Sequence, residues 1–177
     1  MSITADVIRA GRLTLVPLRA GHADEMAGVL ADPDLYAFTG GSPPSVADLR
    51  SRYERWVAGS PDPAASWCNW VIQLHSPRCL AGTVQATIGV GGDRPSAEVA
   101  WVIGTRWQGR GLGTEAARAL VGWLQEQSVS TVVAHIHPRH LASAAVAAAA
   151  GLTPTDDWHD GERMWTFTIT AEPGSRQ

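Results

Sequence analysis

The chain has 177 residues, 45% apolar and 18% charged, a composition that suits one compact domain with a single core. Its formal charge of −3 gives no electrostatic footprint for nucleic acid. No apolar run reaches the ~18 residues of a membrane-spanning helix. All 14 Lys+Arg residues are arginine, which excludes an ordinary P-loop, a lysine Schiff base and a lysine general base.

No secretory h-region opens the chain, so a cytoplasmic protein is expected. Cys68 and Cys79 form no Cys-x-x-Cys and read as reduced structural thiols. Eight tryptophans stand against two phenylalanines and two tyrosines, so most should fill core and some should line a pocket.

In chain order, "GRLTLVPLR" (11–19) alternates Leu13 and Leu15 into a first strand ending at Pro17. "AGHADEMAGVLADPD" (20–34) reads as a helix with Met26, Val29 and Leu30 on one face, broken before Pro33. A second helix follows, capped by Ser45, with Leu49, Tyr53, Trp56 and Val57 on its apolar face. "ASWCNWVIQLHS" (65–76) and "CLAGTVQATIG" (79–89) are consecutive strands. "GVGGDRPS" (89–96) is a loop, and "AEVAWVIG" (97–104) is the next strand. A helix is expected over 114–127, a strand in "STVVAHIHP" (130–138), and an alanine-rich helix in "HLASAAVAAAAG" (140–151) stopped by Gly151. "RMWTFTIT" (163–170) is the final strand, and 171–177 reads as a flexible tail. The class is therefore mixed α/β (α+β) with a partly antiparallel sheet, in one domain whose core runs over 11–170.

The strand at 97–104 leads into "WQGRGLGTEAARALVGWL" (107–124), where Gly109, Gly111 and Gly113 alternate before a helix. A strand, a glycine turn and a helix N-terminus make an anion site, because the first helical N–H groups lack intrahelical partners. Arg110 and Thr114 could add charged and hydroxyl donors. A Rossmann fingerprint needs Gly or Ala where Thr114 stands, and an acidic residue about twenty positions later. Both requirements fail. A purely structural glycine turn remains the other reading.

Gln108-x-x-Gly111-x-Gly113, preceded by "AEVAWVIG" and followed by "TEAARAL", resembles the acetyl-CoA-binding signature of the GNAT N-acetyltransferase superfamily. "GRLTLVPLR", "LADPDLYAFTGG" and "HLASAAVAAAAGL" extend the resemblance to its RimJ/RimL-like branch, over roughly residues 11–170. The resemblance implies a mostly antiparallel central sheet whose two parallel strands splay at a bulge. It implies acetyl-CoA as co-substrate, with pantetheine along Trp101, Val102 and Ile103. The pyrophosphate would lie on the amides of Gln108, Gly109, Arg110, Gly111, Leu112, Gly113 and Thr114. No metal is implied, and a homodimer is.

The family acts by direct attack of an amine on the thioester. Glu98 matches the glutamate that can serve as general base, or it is an edge glutamate facing solvent. Ser143 matches the serine of Asn-x-x-Ser that can donate to the CoA sulfur, or it is a small residue permitting close helix packing. His140 stands where the pattern has Asn, which puts its contact to the pantetheine region in question. The tyrosine many members use as general acid would fall at Ala147. His135-x-His137-x-x-His140 is expected to be no metal site, with His135 or His137 a candidate second proton relay.

Acceptor sites in this fold come from the early helices and the loop before the last strand. Tyr36, Asp157, Trp158 and Asp160 are therefore the candidate substrate residues. Carboxylates beside an indole suit a small cationic acceptor such as an aminoglycoside-type antibiotic, against the plainer reading of a solvated acidic loop. The alternatives are acetylation of a protein's N-terminal α-amine, or a non-catalytic CoA-binding module. Nucleic acid and membrane are not expected as partners.

Overall fold

A computed structural model of the chain describes residues 3–89 and 94–169. Positions 90–93 of the expected loop and the expected tail 171–177 lie outside the described residues. Among the described residues, eight strands form one sheet: β1 (Ile8–Arg9), β2 (Leu13–Pro17), β3 (Ala65–Leu74), β4 (Leu80–Gly89), β5 (Ser96–Ile103), β6 (Thr131–Ile136), β7 (Thr153–His159) and β8 (Glu162–Thr168). The α-helices of the described residues that pack on it are α1 (Ala23–Val29), α2 (Val46–Ala58), α3 (Leu112–Glu126) and α4 (Leu141–Ala149). The strand order is β1-β2-β3-β4-β5-β6-β8-β7. Every neighbouring pair is antiparallel except β5 and β6. That one parallel pair follows from the chain path, because α3 is the crossover between its two strands.

Alternation along the strands sorts side chains onto two buried faces. Trp70, Ile72, Val84, Ala86, Val99 and Val132 enter a core with Leu112, Leu120 and Leu124 of α3 and Ala147 of α4. Val71 and Leu80 face the other way, against Met26 of α1 and Leu49 and Tyr53 of α2. Trp70 is fully buried and stacks edge-on against Trp123 at 5.1 Å, with its indole N–H on the Asp6 carbonyl at 2.7 Å. Both requirements of a buried indole, area and a partner for its N–H, are thus met.

Ser45 caps α2 as expected, its hydroxyl accepting from the Asp48 N–H at 3.1 Å. Two expectations need correction. The first helix is short, Ala23–Val29, because a separate 3-10 turn at Pro33–Tyr36 takes over where Pro33 fixes the backbone. The segment before the last strand is not a loop but β7, joined to β8 by a two-residue hairpin turn. Asp160 (φ +49) and Gly161 (φ +80) both hold the left-handed conformation that Asp-Gly hairpin turns require.

Candidate active site

The glycine loop contains two kinds of glycine. Gly109 and Gly111 have φ of +72 and +74, so the backbone itself demands them. Gly113 lies inside α3, where an added Cβ would sit 3.2 Å from Val146 Cγ2 and 3.3 Å from Ile103 Cγ1. Its bareness lets α3 approach β5 and α4 together. Among the described residues the amides of Gly109 to Thr114 have no backbone acceptor, and Glu115 is the first to bond back, to Gly111 O at 3.1 Å. Six consecutive free N–H groups at a helix N-terminus form an anion cradle.

The loop is held from outside. Trp107 is buried beneath it, with the Arg106 and Arg110 guanidinium carbons 5.0 and 5.2 Å from its ring centroid. Gln108 donates its side-chain amide to Ile103 O at 3.0 Å. Arg12 donates to Arg110 O at 2.9 Å and pairs with Glu115 at 2.7 Å. Partial burial works to raise the Glu115 carboxyl pKa, but the hydrogen bonds and charge of Arg12 outweigh it and hold it low. An open groove of about 620 Å³ runs beside the cradle, lined by Arg9, Arg12, Gly111, Thr114 and Arg118.

β5 and β6 pair only from Ser96↔Thr131 to Glu98↔Val133. Beyond that, β5 stays with β4 as far as Ile103 and β6 stays with β8 as far as Ile136, so a V-shaped opening lies between them. Among the described residues, one edge of Val99–Ile103 is left without a strand partner. The splay expected from the resemblance is present, but the expected bulge is not. The β4–β5 register runs without a shift from Gly89↔Ser96 to Gly82↔Ile103. The close approach is made at Gly82 instead, where a Cβ would overlap the Val102 carbonyl oxygen. Trp101 and Ile103 pack toward the α3 core, whereas Val102 is exposed on the opposite face.

Glu98 sits at the last paired position before the strands part. Its side chain is 62% exposed, and Oε1 lies 3.2 Å from His135 Nδ1 on β6. Strand register accounts for the meeting: Glu98 pairs with Val133, and His135 is two residues on, on the same face. The His135 ring lies 5.6 Å from that of His159, whose Nε2 is 3.3 Å from Asp160 Oδ2. The solvent-facing reading of Glu98 is therefore incomplete, because the carboxylate is both exposed and tied to an imidazole.

Across the opening, His140 caps α4, its Nδ1 accepting from Ser143 N–H at 3.4 Å. Nε2 of the same ring lies 3.1 Å from Ser143 Oγ. Burial and the neighbouring His137 charge lower the His140 pKa, against an opposing pull from Glu162. Phe38, between α1 and α2, stacks on the His140 ring at 4.7 Å and lies 5.1 Å from His137. That contact spans the two halves of the sheet. His135, His137 and His140 do not converge, and among the described residues no three His, Cys, Asp or Glu side chains are grouped to hold a metal.

The family model described as Acetyltransferase (GNAT) domain matches residues 12–153. The chain belongs to the GNAT acetyltransferase family. It is an N-acetyltransferase that uses acetyl-CoA. Solved structures share the GNAT fold at low identity. One is a GNAT-family acetyltransferase from Bacillus anthracis, at 16% identity and TM-score 0.73, covering 92% of this chain and 98% of that one. A second is RimL, a ribosomal L7/L12 alpha-N-protein acetyltransferase in complex with coenzyme A (15% identity, TM-score 0.71, 93% and 98% covered). A third is the aminoglycoside acetyltransferase AAC(6')-Ib in complex with paromomycin and acetyl-CoA (19%, TM-score 0.71, 89% and 94% covered). No curated protein sequence matches the chain significantly.

Of the residues expected to receive the acceptor in this GNAT domain, Asp160 joins the Glu98 cluster through His159 and His135, whereas Trp158 does not. Trp158 pairs with Arg163, which pairs with Ile136, so register puts Trp158 on the α4 side of the sheet, away from Glu98 and His135. Asp157 lies in the irregular stretch of β7 between Pro154 and Trp158, and Asp160 is the hairpin-turn residue. Tyr36 bonds to Leu30 O at 3.0 Å, and burial raises its phenol pKa.

Other residues take the Glu98 face. Thr87 pairs with Glu98 and Gln85 with Ala100, while Trp67 and Asn69 pair with Thr87 and Gln85. With Trp56 they line a cavity of about 90 Å³. Alternation in "SWCNWVIQ" already separates Trp67 and Asn69 from buried Cys68 and Trp70, and was the available signal. For Phe38 and His159 the sequence carries no comparable one.

Proposed function

We propose that this GNAT domain binds acetyl-CoA in the opening between β5 and β6 and transfers the acetyl group to a primary amine on the α1/α2 face. The pyrophosphate lies on the Gly109–Thr114 amides, and pantetheine runs along the unpaired edge of Trp101–Ile103, adding a strand-like partner there. A primary amine with pKa near ~10 arrives protonated and must lose a proton before it attacks. Glu98 takes that proton, and His135 receives it in turn or holds the carboxylate in place. The amine nitrogen then bonds to the thioester carbon and loses its second proton to solvent water, the oxyanion is met by a backbone N–H of β5, and the C–S bond breaks with its electron pair leaving on sulfur. Ser143, in the first turn of α4, faces the departing sulfur.

The observation that carries this reading is the early end of the β5–β6 ladder at Glu98, with a free anion cradle at the far end of β5. The acceptor is read as a primary amine on a largely uncharged body. The Glu98 face offers indole, carboxamide and hydroxyl groups from α2, β3 and β4, while Trp158 stands on the other side of the sheet. Release of CoA from acetyl-CoA, followed over a panel of amino sugars, aminoglycosides and peptides with free N-termini, tests both parts. Turnover led by polycationic aminoglycosides would refute the acceptor reading. Acetyl-CoA binding without turnover on any amine would identify a non-catalytic CoA module.

A further inference from the structure

We infer that the acceptor is a hydroxyl-rich ring carrying a single amine, an amino sugar, whose hydroxyls are read by Thr87, Gln85 and Asn69 between the indoles of Trp56 and Trp67; this substrate class rests on the transfer site proposed above, with Glu98 at its amine end. Strand register brings the groups together. Trp67 and Asn69 on β3 pair with Thr87 and Gln85 on β4, and Thr87 pairs with Glu98 on β5, so all five share one face of the sheet. Neighbouring strands lie about 4.8 Å apart, and the row from Glu98 to Trp67 therefore spans roughly 10 Å. One hexose ring with its substituents is enough to reach along it.

The floor of the recess is polar and uncharged. A carboxamide offers two N–H donors and an acceptor oxygen, and a threonine hydroxyl offers one donor and two lone pairs. Elsewhere in the chain such groups are used internally: the Gln108 carboxamide donates to Ile103 O at 3.0 Å, and the Trp70 indole to Asp6 O at 2.7 Å. Among the described residues the side chains of Asn69, Gln85 and Thr87 and the indole nitrogens of Trp56 and Trp67 have no such partner, and all five residues line the same recess of about 90 Å³. A ligand that donates and accepts at several points satisfies them together. Hydroxyl groups do both, whereas ammonium groups only donate and hydrocarbon does neither.

The walls supply the apolar part. Trp67 is 36% exposed, and Trp56 is backed by the buried ring of Tyr53, with centroids 5.8 Å apart. An indole presents a broad apolar surface, which matches the C–H face of a sugar ring while the hydroxyl rim turns to the floor. Charge limits the acceptor to one ammonium. Among the described residues no carboxylate lines the recess, and Asp160, the other acid of the Glu98 cluster, is held 3.3 Å from His159. Thr87 stands directly across from Glu98, and Cβ atoms in such a pair lie about 4.5–5.5 Å apart. It therefore meets the hydroxyl beside the reacting amine, and Gln85 and Asn69 meet those further along the ring.

Release of CoA at saturating acetyl-CoA, measured with glucosamine, cyclohexylamine and an alanyl peptide amide, tests the substrate class. Thr87→Val and Gln85→Leu alter exposed side chains and should melt with the wild type. Each variant is compared with wild type on the same acceptor, so differences in amine pKa between acceptors cancel. The loss of kcat/KM on glucosamine should exceed that on cyclohexylamine, a ring of the same size without hydroxyls, by roughly three- to tenfold for each variant. A wild-type enzyme that turns over glucosamine and not cyclohexylamine shows the same preference at its limit. Equal losses on the two rings, or none on glucosamine, overturn the reading of hydroxyls by this floor. A higher kcat/KM for the peptide than for glucosamine overturns the amino-sugar class. Both of those results leave acetyl transfer at Glu98 standing. Binding of acetyl-CoA with turnover of none of the three acceptors overturns the transfer reading beneath it.

Discussion

Gly111 gives the most sharply defined perturbation, because space and backbone conformation pull apart there. Its φ is +74, and an added Cβ would meet only Arg12 Nη2, at 3.4 Å, an ordinary van der Waals contact with the end of a flexible side chain. Sterics therefore contribute little to Gly111→Ala, and the left-handed backbone should dominate at about 1–2 kcal/mol. For a domain of this size each kcal/mol moves the thermal midpoint by about 2–4 °C, so a loss of roughly 2–8 °C is expected. Gly111→Asn tolerates the same φ and should recover most of that loss. Circular dichroism melts of the free protein measure both. Equal destabilisation by Ala and Asn, or none by Ala, would refute the assignment of the cost to φ. Added CoA supplies a second arm: it should raise the wild-type midpoint and raise either variant's much less, because a side chain there crowds the anion cradle.

Gly113→Ala acts by another route. Its Cβ would press Val146 and Ile103 at 3.2 and 3.3 Å, so overpacking of about 1–3 kcal/mol is expected, with no relief from Asn. Glu98→Gln should lower kcat on the order of 10²-fold and leave the Kd for CoA unchanged; unaltered turnover would remove Glu98 as base. Trp67→Ala should raise the acceptor KM roughly three- to tenfold, and Trp158→Ala should leave it alone; the reverse result would restore the β7–β8 hairpin as the acceptor site. His140 adds a pH dependence. Its folded pKa lies below the unfolded value of 6.5, so the unfolded chain binds more protons between the two and stability falls as pH falls through that window. Above 6.5 the contribution is complete. His140→Asn should flatten this part of a melting-point profile taken from pH 7.5 to 5, and an unchanged slope would place its origin elsewhere.

Local chemistry determined much of this protein by itself. The alternation of Leu13 and Leu15, the Ser45 cap and the three loop glycines are short-range signals, and each produced the element expected of it. The order of motifs around Gln108–Thr114 carried the resemblance that implied acetyl-CoA, and the anion cradle itself was legible because it is built from consecutive amides. The acceptor face was not legible in the same way. The members proposed for it come from α2, β3, β4, β5, β6 and the α1–α2 connection, and their meeting depends on register between strands far apart in sequence. A single residue of register decides a side chain's face, and so Trp158 went to one side of the sheet while His159 went to the other. The contacts of His135 with Glu98, and of Phe38 with His140, likewise arise only where the β5–β6 ladder stops and the two halves of the sheet part.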